Sequence, residues 1–398
     1  MKLNFQSLLG FSALVLLAVG CSKTMPSAPT EDSLLDGPIE GLTYAQQAMF
    51  LSGDEAFGEV FTAETGLGPI FVANQCASCH PGDGKGSPFV EFTRFGQPDS
   101  SGNRFLDQGG PQLQHKAIPG YEPEVLPEGA TSTDLIAPAV TGLGYLDAVS
   151  DADLLALEDP DDLDNDGISG RVHWNDIPDY VQLRPGAIEN NGKYICRIGK
   201  KGAAYNLHHQ TVEAYNQDMG ITSLFNPIDQ YTGLEIDPEV STSILNDVVF
   251  YLTTLKAPIQ RDQDNPDVIA GGEIFSNIQC GACHTPVMQT SESPIAQLNN
   301  VEFYPYTDLL LHDMGAGLDD AYTEGKAMTY EWRTPPLWGL GLTQDAQGGD
   351  IYLLHDGRAR SIEEAILLHR GEAEQSQINY SELSDEDKAL LLTFLESL

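Results

Sequence analysis

Two pentapeptides constrain this chain more than any other feature: Cys76-Ala-Ser-Cys79-His80 and Cys280-Gly-Ala-Cys283-His284. Two thiols three residues apart share one helical turn, so both can bond to neighbouring edges of a flat macrocycle while the next His reaches beneath its centre. In an exported chain this spacing reads as c-type haem attachment. One copy could arise by chance or serve as a redox dithiol. Two copies, each followed by a Pro-containing loop (His80-Pro81-Gly82 and His284-Thr285-Pro286), argue against both. A zinc site built from four Cys would not require a His directly after each pair.

The N-terminus supplies the exported context. Met1-Lys2 precedes the apolar run Leu8 to Gly20, too short for a membrane span but suited to a secretory signal. Residues 1–20 are read as a signal peptide. Leu17-Ala18-Val19-Gly20-Cys21 resembles a bacterial lipobox, with Ala18 where Leu is preferred, so Cys21 is the expected lipid anchor. Residues 21–42 then form anchor and tether, rich in Ser, Pro, Thr and acidic groups. The expected location is the periplasm or cell envelope, with membrane attachment through the anchor alone. Of six cysteines, four go to haem and one to lipid, leaving Cys196, so no disulfide is expected. Asp and Glu total 59 against 20 Lys and Arg, a net charge of -39. Such a surface repels a polyanion, which excludes nucleic acid, and favours a cationic partner.

A repeat divides the rest. Gly58-Glu-Val-Phe61 leads to Asn74-Gln75-Cys76, and Gly272-Glu-Ile-Phe275 leads to Ile278-Gln279-Cys280. The polar, Pro-containing stretch from Lys256 to Pro266 separates the two phrases. The expected organisation is an N-terminal cytochrome c-like domain over 43–257 with the reactive haem, and a C-terminal one over 267–398 with the electron-transfer haem. Helical periodicity is clearest at Val212–Met219, Ser243–Leu255, Ser361–His369 and Ser381–Leu395, whereas 81–190 is rich in Gly and Pro. The expected fold is mostly α, two cytochrome c-like haem domains with long ordered loops. Each half carries a second module: laying Ile362 on Leu207 puts His369 on Ala214. A His can close the sixth position of one iron; an Ala cannot reach the other.

Both haem motifs, Asp164-Asn-Asp-Gly-Ile-Ser-Gly-Arg171, Asp218-Met-Gly-Ile-Thr-Ser223, the segment Pro305 to Gly315, Trp332 to Gly341 and His355-Asp-Gly-Arg-Ala359 together carry a family resemblance. The chain resembles the di-haem oxidoreductases, related to bacterial di-haem cytochrome c peroxidases and the methylamine-utilisation di-haem enzyme. That resemblance implies two covalently bound haem c groups and reduction of hydrogen peroxide at the N-terminal one. His80 and His284 are the implied proximal ligands. His369 is the implied distal ligand of the C-terminal iron, preferred to Met314, which reads as part of a packed turn. His355 supports a haem without ligating it, by a hydrogen bond to a propionate, and His312 is structural. The peroxidases line their open haem face with a Gln and a Glu; Gln210 and Asp218 stand at comparable places, and His208 or His209 are rival ligands there. A carboxylate beside an open haem can carry peroxide's proton from one oxygen to the other.

One departure concerns electron transfer. Where the relatives place a Trp between the haems, this chain has Lys200, with Trp174, Tyr194 or Tyr205 as substitutes. The expected donor is a small cytochrome or cupredoxin, cationic to suit the charge. A pure electron-transfer cytochrome, or an oxidase of a protein or thiol, are the competing readings. Asp162, Asp164 and Asp166 before Gly167 match the first half of a calcium loop, although His173 stands where the last Glu belongs.

Overall fold

The computed structural model describes residues 35–99 and 103–398. The expected signal peptide and Cys21 lie outside the described residues. Among the described residues, no helix is long and apolar enough to cross a membrane.

Helix α1 (Tyr44–Phe57) begins at Thr43, whose side chain accepts from the Gln46 N–H while Gln46 answers to the Thr43 backbone. The first haem motif forms one helical turn, α2 (Cys76–Cys79). Helix α3 (Leu207–Glu213), capped by Asn206, runs into a π-turn over Ala214–Asp218, and α4 (Thr242–Thr254) is capped by Ser241. The second half starts with α5 (Pro266–Asn277), capped by Asn265 with Pro at its first position, and ends with α6 (Ile362–Leu367), α7 (Glu374–Glu382) and α8 (Asp385–Ser397). Of the two serines preceding the last helix, Ser384 is the cap, accepting from the Asp387 N–H at 3.1 Å.

The repeat in the sequence becomes a repeat in packing. α1 crosses α4 so closely that a Cβ on Gly53 would strike the Asp247 carbonyl and Tyr251, and α5 crosses α8 so closely that a Cβ on Gly271 would strike the Leu390 carbonyl and Phe394. Phe50, Phe57, Val248, Tyr251 and Leu252 form the core under the first haem motif, with Cys76 against it. Phe275, Tyr306, Leu391, Phe394 and Leu395 do the same under the second, with Cys280 against them. Each motif thus sits on a floor of buried rings, whose truncation to Ala costs about 3–5 kcal/mol.

The mostly α expectation is corrected. Helices make up 32% of the described residues and strands 13%, and the sheets have two or three strands each. Nor does the fold lay out two cytochrome c-like haem domains: Leu35–Leu398 packs as one compact unit. The physical reason lies in the inserted segments. Their Gly and Pro residues forbid long helices, and the extended chain between them pairs into short hairpins. Two of these matter. β1 (Glu91–Gly96) pairs antiparallel with β2 (Thr131–Ile136), setting Arg94 opposite Thr133. β3 (Leu311–Asp313) pairs with β4 (Glu331–Arg333), setting His312 opposite Trp332.

Candidate functional site

A continuous cavity of about 450 Å³ runs through the unit and is lined by both haem motifs. Cys76, Cys79, His80, Cys280, Cys283, His284, His369, His355, Gln210 and Asp218 all face it, on otherwise largely apolar walls.

In the C-terminal half, Cys280–Ala282 forms a 3-10 turn, and the His284 N–H donates to the Cys280 carbonyl at 3.0 Å. The His284 ring donates from Nδ1 to the Tyr306 carbonyl at 3.0 Å, and the His369 ring from Nδ1 to the Ala365 carbonyl at 2.7 Å. A carbonyl can only accept, so both rings carry their proton on Nδ1 and leave Nε2 free, as an iron ligand requires. Burial, reinforced by His369 nearby, pushes His284 down to about 4, and burial lowers His369 as well. Both rings are therefore neutral. Met314 also borders the cavity but packs with Leu135, Leu318 and Trp332, its N–H donating to the Tyr330 carbonyl at 2.9 Å.

The N-terminal half is built differently. The His80 N–H donates to the Cys76 carbonyl at 3.0 Å, but its Nδ1 meets no acceptor at hydrogen-bond geometry. Burial pushes His80 down to about 4, with the Pro138 carbonyl opposing and Lys200 reinforcing the shift. On the cavity wall stand Ala214, Gln210 and Asp218, but neither His208 nor His209. His209 is turned into the core, its Nδ1 accepting from the Tyr205 N–H at 3.1 Å, and His208 lies edge-on to Phe225 with ring centroids 4.6 Å apart. The π-turn carries Asp218 to the cavity, and the Asp218 carbonyl is fixed by the Val72 and Ala73 N–H groups. Such turns often mark functional positions. Burial raises the Asp218 carboxyl to about 6, with Arg94 opposing and Glu213 adding to the shift.

Arg94 is the residue that sequence reasoning missed. It lines the cavity from β1 and donates from Nη1 to Gln217 Oε1 at 3.1 Å; Gln217 donates in turn to Glu213 Oε2 at 2.7 Å. Its charge acts on Asp218 from a strand far away in sequence, and no local motif announces it.

Besides Arg197, which pairs with Asp151, three further cations face the cavity: Lys85, Lys200 and Arg333. Burial lowers them to about 8, 7 and 10 respectively. Lys85 donates to the Trp338 carbonyl, and Arg333 to the carbonyls of Gly199 and Thr334, yet none of the three forms an ion pair among the described residues. Buried charge without a counter-charge is costly. Asp356 and Asp308 offset part of that cost at Lys200 and Arg333, and the carboxylates of a haem would supply further counter-charge. With four thiols, imidazoles presenting Nε2, apolar walls and an unpartnered Tyr215 hydroxyl, the residues fit haem.

His355 lies face to face on Trp332, with ring centroids 4.1 Å apart and planes 9° from parallel. Burial drives its pKa well down, and Lys200 and Arg333 push in the same direction. Trp174, Tyr194 and Tyr205 do not border the cavity, whereas Lys200 and Trp332 do. In the acidic loop, Asp159, Asp162 and Asp164 bring one oxygen each within 4.8 Å of one another, and Asp166 is not among them. Asp166 accepts instead from the Ile168 N–H at 2.8 Å. Cys196 is buried and its thiol is pushed up to about 12, which leaves it inert.

No curated protein matches the chain. Among solved structures, a hydrazine synthase of Kuenenia stuttgartiensis, pressurised with 20 bar of xenon, is similar at 14% identity and a TM-score of 0.37, over 94% of this chain and 98% of that one. A family model described as "Di-haem oxidoreductase, putative peroxidase" matches residues 134–398, two thirds of the chain. The chain belongs to the di-haem oxidoreductase family.

Proposed function

We propose that this oxidoreductase is an exported c-type peroxidase, reducing hydrogen peroxide in the N-terminal half with electrons delivered through the C-terminal half. Cys76 and Cys79, and Cys280 and Cys283, would hold two haems by thioethers, with His80 and His284 as proximal ligands and His369 as the second ligand in the C-terminal half. The haem irons supply the electron chemistry when bound. Everything else falls to side chains.

The single observation that carries the reading is the unequal furnishing of the two halves. His369 presents Nε2 on one side, while Ala214, its counterpart in the sequence repeat, lines the same cavity with Gln210, Asp218 and Arg94. At neutral pH a carboxyl with a pKa of about 6 is ionised and still basic enough to accept a proton. Asp218 takes the proton from the near oxygen of peroxide and returns it to the far oxygen as that oxygen leaves. Gln210 orients peroxide by hydrogen bonding, and Arg94 favours the negative charge that develops on the departing oxygen. Two electrons and two further protons complete the conversion of peroxide to two waters.

The net charge of -39 supports a small cationic cytochrome or cupredoxin as the donor. The signal segment and Cys21 support a lipid-tethered location. Rapid mixing of the haem-loaded protein with hydrogen peroxide tests the activity: the reading expects peroxide-dependent oxidation of a reduced cationic cytochrome. Electron exchange with that cytochrome and no consumption of peroxide would make the chain a carrier only.

A further inference from the structure

The most densely bonded charged group near the cavity is one that the proposed chemistry does not use. The Glu372 carboxylate, three residues beyond His369, accepts four hydrogen bonds. One oxygen takes the Ser169 hydroxyl at 2.9 Å and the Asp313 N–H at 3.1 Å; the other takes the Ser169 N–H at 3.0 Å and His312 Nδ1 at 2.7 Å. His312 also donates from Nε2 to Asp308 at 2.8 Å. Carboxylates on both ring nitrogens make His312 an imidazolium, raised by its partners against the effect of burial.

This arrangement joins the two sides of the C-terminal iron site. His312 Nδ1 is also 3.7 Å from the Cys283 sulfur, next to the proximal His284. Gly371 lies so close to the Asp313–Gly315 turn that a Cβ there would strike the Asp313 carbonyl, and Gly170 lies so close to the His312 ring that a Cβ there would strike it. The segment after His369 is therefore held by its backbone and by Glu372 to the strand that touches the haem motif. The second half of the Asp164–Arg171 motif thereby gains a role: Ser169 donates twice to Glu372, and Gly170 makes room for the ring.

We infer that Glu372 and His312 are positioning residues that fix His369 at the distance where it closes the C-terminal iron site, keeping that iron saturated. The inference rests on His369 as the second ligand. A carboxylate held by four donors, one of them charged, gives the ligand segment little freedom to swing away. Without it, the segment keeps only α6, the packing of Gly371 on the Asp313–Gly315 turn and the His369 ring's own bond to Ala365.

The test uses full-length haem-loaded protein, with electron paramagnetic resonance and near-infrared magnetic circular dichroism to read iron ligation. Glu372→Ala should lose bis-imidazole signal and bind cyanide at the C-terminal iron about tenfold more tightly. Added imidazole should restore the signal, and the covalent haem content should stay at the wild-type value. Wild-type ligation and cyanide affinity in Glu372→Ala would overturn the inference. Ser169→Ala, which deletes one donor, should show a smaller gain in cyanide affinity and serves if Glu372→Ala does not fold; an unchanged affinity there overturns the inference equally. His369→Ala separates the two claims. If it keeps the bis-imidazole signal, the ligand reading falls and the positioning role falls with it. If it loses the signal while Glu372→Ala keeps it, only the positioning role falls.

Discussion

The two halves of this chain begin from the same phrase and end in differently furnished surroundings. Around the second haem motif, both histidine rings donate Nδ1 to backbone carbonyls, and the segment behind His369 is fixed by the four bonds to Glu372. Around the first, the His80 ring has the Pro138 carbonyl near it but short of hydrogen-bond geometry, Ala214, the counterpart of His369 in the sequence repeat, lines the cavity, and a carboxylate, an amide and a guanidinium share the wall. A group that only passes electrons benefits from rigid, saturated ligation. A group that must bind a small molecule needs an unligated face and ionisable neighbours. In the proposed function, one helix–loop module, duplicated, serves either need according to a few side chains.

Changing those side chains is the way to break the comparison. The largest effect is expected from Asp218→Asn, which keeps the shape of the group and removes its basicity. Peroxide cleavage should fall by about 10²–10⁴-fold in rapid mixing, with both haems retained. The wild-type rate should decline as pH falls through about 6, because Asp218 becomes protonated and can no longer accept. That acid limb should vanish in Asp218→Asn.

Arg94→Gln should act through the same carboxyl. Arg94 lowers the Asp218 pKa, so its loss should move the acid limb of the pH–rate profile to higher pH and slow cleavage at neutrality by about tenfold. A slower rate with an unmoved limb would separate Arg94 from Asp218.

The helix crossings give a comparison in which the halves should behave alike. Gly53→Ala and Gly271→Ala each force a methyl group into a packed crossing, and each should cost about 1–3 kcal/mol in denaturant unfolding. If only one variant is destabilised, the packing repeat does not extend to energetics. A smaller effect is expected from Lys200→Met. Removing a buried cation beside the cavity should lower the midpoint potential of a bound haem by on the order of tens of millivolts in a spectroelectrochemical titration.

What could be read from sequence was what local chemistry writes locally. The haem motifs and the repeated Gly–Glu–aliphatic–Phe phrase act within a few residues, as does the Ser384 cap. Pairing across distance was not legible. Arg94 reaches the cavity because β1 pairs with a strand some forty residues later, and Glu372 meets His312 across sixty residues. The helix expected from Val212 to Met219 begins instead at Leu207 and turns π at Ala214, an irregularity that periodicity does not show but that carries Asp218 to the cavity. His208 and His209 had equal standing on paper. Only the phase of α3 against Tyr180 and Phe225 turns both away.

Low-temperature electron paramagnetic resonance of the oxidised, haem-loaded protein distinguishes two unequal irons from two alike. The expected spectrum holds one low-spin bis-imidazole signal indifferent to cyanide and one high-spin signal that cyanide converts. Two low-spin signals, neither altered by cyanide, would contradict it.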